Sequence, residues 1–122
     1  MAKILIVDDD ASVRASFEHL LRQAGHEVFL SSDGKDGLRQ QRASRMDVVI
    51  VDLFMPDQDG LETITQLHKE FPTLAIIAIS GGYAASATML SVAEELGAAR
   101  VLEKPFDAEL LLATVDEVLQ TA

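Results

Sequence analysis

The chain of 122 residues is 48% hydrophobic and 25% charged, with seven Gly, three Pro and no Cys; this is the composition of one folded domain, and it excludes disulfide frameworks, thiolate metal sites and cysteine nucleophiles. Ten Lys and Arg against twenty Asp and Glu give a net charge of −10, which opposes direct binding to nucleic-acid phosphates or anionic lipid. No apolar run approaches the roughly 18 residues of a membrane span, and the first is too short for a signal-peptide core, so a cytoplasmic protein with no membrane partner is expected.

In chain order, residues 4–7 (Ile-Leu-Ile-Val) form a β-branched apolar run that predicts a strand, followed by Asp8-Asp9-Asp10. Val13, Phe17, Leu20, Leu21 and Ala24 make one stripe of helical period, which predicts a helix over 11–24 with Gly25 at its C′ position. Residues 28–30 predict a second strand. Asp33 then caps a helix over 34–44 that is weakly patterned, Leu38 being nearly its only large apolar residue. Residues 48–51 predict a third strand ending at Asp52. Asp59 and Glu62 resemble a capping box opening a helix with Leu61, Ile64, Leu67 and Phe71 on one face, closed by Pro72. Residues 74–79 predict a fourth strand ending at Ser80. A helix over 84–96 carries Ala85, Met89, Ala93 and Leu96, with Gly97 after it. Val101 and Leu102 predict a fifth strand before Lys104, and a last helix from near Asp107 buries Leu111, Val115, Val118 and Leu119.

Five strands alternating with five helices predict an α/β fold with an open, doubly wound parallel sheet, because runs buried on both faces need helices on both sides. A closed eight-stranded barrel needs about 200 residues or more. No repeat or linker divides the chain, so residues 1–122 are expected to form a single domain. In such sheets sites lie beyond the carboxyl ends of the strands. Those ends carry Asp8, Asp9 and Asp10, then Asp52, Ser80 and Lys104.

A lone strand-end acid more often caps the following helix than serves chemistry, but four polar strand ends together point to a site. Carboxylates packed together repel unless protonated or bridged by a cation. Oxygen donors of this kind suit Mg²⁺ or Mn²⁺. Lys104 and the Ser80 hydroxyl then call for an anion, which a phosphoryl group supplies, and Asp52, an isolated acid at its strand end, is the best candidate nucleophile.

The ordered set Ile-Leu-Ile-Val-Asp-Asp-Asp at 4–10, Val-Asp-Leu-Phe-Met-Pro-Asp-Gln-Asp-Gly at 51–60, Ser80 and Lys104-Pro105-Phe106 resembles the receiver domains of two-component response regulators of the chemotaxis-regulator type. The resemblance implies a flavodoxin-like sheet of order 2-1-3-4-5. It implies that Asp52 accepts a phosphoryl group from a phosphohistidine on a sensor histidine kinase or histidine phosphotransfer protein. Asp9 would be a direct metal ligand, Asp8 would assist through water, and Asp52 and the Phe54 backbone carbonyl would complete the protein ligands. Lys104 would contact the phosphoryl oxygen, Ser80 would serve as the hydroxyl switch, Asp10 would cap the first helix, and the peptide before Pro105 would be cis. Such a domain catalyses only its own phosphorylation and dephosphorylation, carries no output domain within these residues, and signals by contact with a downstream protein, through surfaces around the fourth and fifth helices.

Three features depart from the pattern. Val101 replaces the usual switching aromatic, Gly81 and Gly82 open a longer interval before Lys104, and Phe54 places an apolar ring near the site. Residues 8–12 also resemble the signature of haloacid-dehalogenase-type phosphatases, with Asp8 as nucleophile. A calcium loop at Asp57, Asp59 and Gly60 fails because Met55 and Gln66 would occupy ligand positions. A nucleotide or flavin site lacks any glycine-rich phosphate motif. His19, His26 and His68 lack metal-ligand spacing, and Tyr83 is a candidate partner contact.

Overall fold

The computed structural model describes residues 2–53, 60–80, 87–104 and 106–121, apart from the side chains of 87–90 and 121. The elements alternate: β1 (Lys3–Val7), α1 (Ala11–Gln23), β2 (Glu27–Ser31), α2 (Gly34–Ala43), β3 (Val48–Asp52), α3 (Gly60–Glu70), β4 (Ala75–Ser80), α4 (Ala87–Leu96), β5 (Arg100–Glu103) and α5 (Ala108–Thr121). The five strands form one parallel sheet of order β2-β1-β3-β4-β5, the flavodoxin-like order expected. The chain reverses its winding direction between β1 and β3, so the crevice of the sheet opens where Asp8 and Asp52 stand.

Strand parity divides the core into two layers. Ile4, Ile6, Val48, Ile50, Ala75, Ile77 and Ile79 face Phe17 and Leu21 of α1 and Leu111, Val115 and Val118 of α5. Leu5, Val7, Val49, Val51, Ile76 and Ala78 face Leu38 of α2, Ile64 and Leu67 of α3 and Ala93 of α4. Each large aliphatic side chain fully buried this way stabilises by about 1.5–3 kcal/mol, which explains why every strand of the centre reads as an unbroken apolar run.

The caps follow the side-chain chemistry. Asp10 accepts from the amides of Ser12 (2.9 Å) and Val13 (3.4 Å), Asp33 from Asp36 (2.7 Å), and Asp107 from Leu110 (2.8 Å). Gly25 (φ 94°) and Gly97 (φ 131°) take the left-handed conformation after α1 and α4. Asp59, the expected cap of α3, and Pro105 lie outside the described residues, as do the side chains of Ala85 and Met89.

Several boundaries differ from the apolar pattern. Strand ends are set by ladder partners: β2 extends to Glu27 and Ser31 because these pair with Lys3 and Val7. Leu74 precedes β4, its amide closing a turn on the Phe71 carbonyl at 3.0 Å. Ala24 is the exposed C-cap of α1 and contributes nothing to its buried stripe. The weak pattern of α2 has a physical reason, since it packs by proximity: a Cβ at Gly37 would stand 2.8 Å from a Val7 methyl, and buried Gln41 accepts from the Met46 amide at 2.9 Å. No helix among the described residues is long and apolar enough to cross a membrane.

Candidate functional site

β1 and β3 deliver the acids. Asp8 is 2% exposed and Asp52 7% exposed, whereas Asp9 is open to solvent. One carboxylate oxygen from each of these three lies within 4.8 Å of the others, the sole grouping of this kind among the described residues. Burial raises the Asp8 carboxyl from 3.8 to about 6; the Asp10 amide, which donates to Asp8 Oδ1 at 2.9 Å, pulls the other way, the Asp52 charge pushes it up, Lys104 pulls it down, and Asp9 adds a smaller upward push.

The triple acid of the sequence therefore divides into two duties. Asp8 and Asp9 join Asp52, while Asp10 turns into α1, where the Ser12 hydroxyl and the Ser12 and Val13 amides hold its carboxyl below the ordinary range. The Asp8 amide donates to the Ser31 carbonyl at 3.0 Å, carrying the β1–β2 ladder one residue past the strand. The Asp8 carbonyl accepts from Arg14 Nη1 at 2.6 Å.

β4 and β5 bring the remaining groups. The Lys104 amide donates to the Ser80 carbonyl at 2.9 Å, so the residue after β5 is tied to the end of β4. Lys104 is half-buried, and its charge acts on both Asp8 and Asp10. Ser80 is fully buried, and its hydroxyl is a buried polar atom with no hydrogen-bond partner among the described residues. An unsatisfied buried hydroxyl is costly unless something else occupies the site.

Gly60 completes the support. Its amide bonds the Leu53 carbonyl at 3.2 Å, and a Cβ there would press on the Asp52 carbonyl oxygen and stand 2.5 Å from Leu53 Cα. Backbone atoms cannot swing aside, so Gly60→Ala is expected to cost about 1–3 kcal/mol and to displace Asp52. Urea denaturation checks the cost; unchanged stability would contradict this close approach.

Gly60 and Arg14 make close contacts with the backbone of the site, at Leu53 and at Asp8, that residue motifs do not reveal. Arg14 had a signal, since a cation in the first turns of a helix opposes the macrodipole and so needs a partner. Phe54, Asp57, Gly81, Gly82 and Tyr83 lie outside the described residues. Val101 is half-buried and packs against the layer under α2, α3 and α4. Two histidines serve structure: His26 Nδ1 accepts from the Ala2 amide at 3.2 Å, and the His68 ring lies against Gly97; His19 is exposed on α1.

Residues 4–116 match the family model of the response regulator receiver domain. The chain belongs to that family. It is 36% identical to the protein PilH of Pseudomonas aeruginosa over 119 residues, 98% of each chain. It is 34% identical to the DNA-binding transcriptional regulator NtrC of Azospirillum brasilense, covering 98% of this chain but 24% of that protein. Among solved structures, a CheY-like response regulator receiver domain protein from Methanospirillum hungatei superposes with a TM-score of 0.93 at 29% identity, over 99% of this chain and 95% of that one. The protein is thus a receiver domain of two-component signal transduction, a regulatory module. The phosphatase reading with Asp8 as nucleophile finds no support: the family match runs nearly end to end, and Asp8 is buried with its carboxylate engaged by the Asp10 amide.

Proposed function

We propose that this receiver domain is switched by phosphorylation of Asp52, with Mg²⁺ or Mn²⁺ as cofactor and a phosphohistidine on a sensor histidine kinase or histidine phosphotransfer protein as donor. The observation that carries the reading is the buried Ser80 hydroxyl, without a hydrogen-bond partner among the described residues, at the end of the strand next to the one that brings Asp52 to a cluster of three carboxylates. The donor set fits the metal: three hard oxygen donors stand together, two of them on buried residues; burial, with a smaller push from the Asp52 and Asp9 charges, raises Asp8 to about 6, and a divalent cation offsets both the burial of charge and the repulsion.

Asp8, Asp9 and Asp52 would hold the cation, Asp8 through water. The Phe54 carbonyl belongs to this set by resemblance. When bound, the cation supplies charge neutralisation at the phosphoryl oxygens. An Asp52 carboxylate oxygen attacks phosphorus, the N–P bond breaks, and the histidine nitrogen leaves with its electron pair. Lys104 steadies the negative charge that develops on a phosphoryl oxygen, and the Ser80 hydroxyl donates to another. Residues 1–122 act as one receiver domain in the cytoplasm. It turns over no external metabolite and passes its state on by contact with a downstream protein. Val101 has no aromatic ring to rotate, so that coupling runs through other residues of β4, β5, α4 and α5.

Intact mass after brief incubation with acetyl phosphate tests the reading. A single phosphoryl adduct is expected with Mg²⁺ and none after chelation by EDTA. An adduct that forms equally well in EDTA, or no adduct under any condition, would overturn it.

A further inference from the structure

Arg14 is the single cation between Ala11 and Phe17, placed where the macrodipole of α1 disfavours positive charge. Its partner in the β1–α1 turn is a backbone oxygen: Nη1 donates to the Asp8 carbonyl at 2.6 Å. That oxygen belongs to the peptide joining Asp8 to Asp9, the two acids from this turn that stand beside Asp52. The turn's other hydrogen bonds act on the Asp8 amide, which bonds Ser31, on the Asp8 carboxylate, which bonds the Asp10 amide, and on Asp10, which accepts from the amides of Ser12, Val13 and Arg14. Among the described residues, none of these is made to the peptide plane that joins Asp8 to exposed Asp9.

Resting on the metal reading above, we propose that Arg14 is a positioning residue for the cation: by clamping the Asp8–Asp9 peptide it holds both carboxylates in the arrangement the metal requires before the metal arrives. Groups that orient ligands from behind typically change metal affinity by 10- to 100-fold when removed. A guanidinium that acted only as a nearby charge would have the opposite effect. Removing a positive charge beside an acidic cluster strengthens its attraction for a cation, so charge and positioning predict opposite signs for one substitution.

Calorimetric titration of Mg²⁺ into the unphosphorylated full chain separates them. Arg14→Ala is expected to weaken Mg²⁺ binding by roughly 10-fold, and Arg14→Lys, which keeps a donor on a long stem, to recover part of that loss. Thermal melting in EDTA establishes that the variants are folded, and Arg14→Lys carries the test if Arg14→Ala is not. Wild-type protein that binds Mg²⁺ alongside a folded variant that binds it equally or more tightly would overturn the positioning role alone. Wild-type protein that binds no Mg²⁺ would overturn the metal reading and this inference with it.

Discussion

Asp8→Asn is expected to stabilise the metal-free protein by on the order of 2 kcal/mol at pH about 7.5 and to leave it unchanged near pH 4. The Asp8 carboxyl has a pKa of about 6 in the folded chain against 3.8 in the unfolded one. Between those values the folded state binds more protons, so stability falls as pH rises through this window and the penalty is complete above about 6. An amide at the same position is never charged, and its oxygen still accepts from the Asp10 amide. The gain corresponds to about 4–10 °C in Tm for a domain of this size. Mg²⁺ is expected to stabilise wild type most above pH about 6, where no proton competes for Asp8, and to stabilise Asp8→Asn far less. Melting curves at the two pH values, with Mg²⁺ and with EDTA, check both statements. Equal Tm values for Asp8→Asn and wild type in EDTA at pH about 7.5 would contradict the electrostatic description of the cluster.

Asp52→Asn is expected to lower labelling by acetyl phosphate by on the order of 10³ or more, since removal of an attacking group is among the largest losses a site can suffer. The amide keeps the shape of the 7%-exposed side chain, so folding is retained. Substitution also removes a negative charge that pushes Asp8 upward, so the Asp8 carboxyl moves toward its ordinary value and metal affinity falls. Intact-mass time courses at saturating Mg²⁺ measure the loss. Labelling at the wild-type rate would show that another group attacks phosphorus.

The parallel sheet was legible because each central strand is buried on both faces, which leaves an unbroken Ile and Val run, and because α1 and α5 bury continuous stripes; its order followed from the resemblance of the motif residues to receiver domains. α2 was hard to read for the converse reason: it approaches β1 through Gly37 and buries a hydrogen-bonded Gln41, neither of which produces an apolar period. Strand ends at Glu27 and Ser31 depend on ladder partners rather than side-chain character. Within the site, residue type and position at strand ends single out Asp8, Asp9, Asp10, Asp52, Ser80 and Lys104 as a set. Their division of labour was less accessible, since only the turn geometry separates Asp10, bonded to α1, from its two neighbours. Arg14 and Gly60 act through backbone atoms of other residues, and side-chain patterns carry little trace of such contacts.

The measurement that bears most directly on the switch is location of the acyl phosphate. Protein labelled with acetyl phosphate and Mg²⁺ is reduced with borohydride, which converts an aspartyl phosphate to homoserine, and peptide mass spectrometry finds the converted position. Conversion at position 52 alone is the expected result; conversion at position 8 or 9, or at none, would contradict the assignment of Asp52 as the phosphoacceptor.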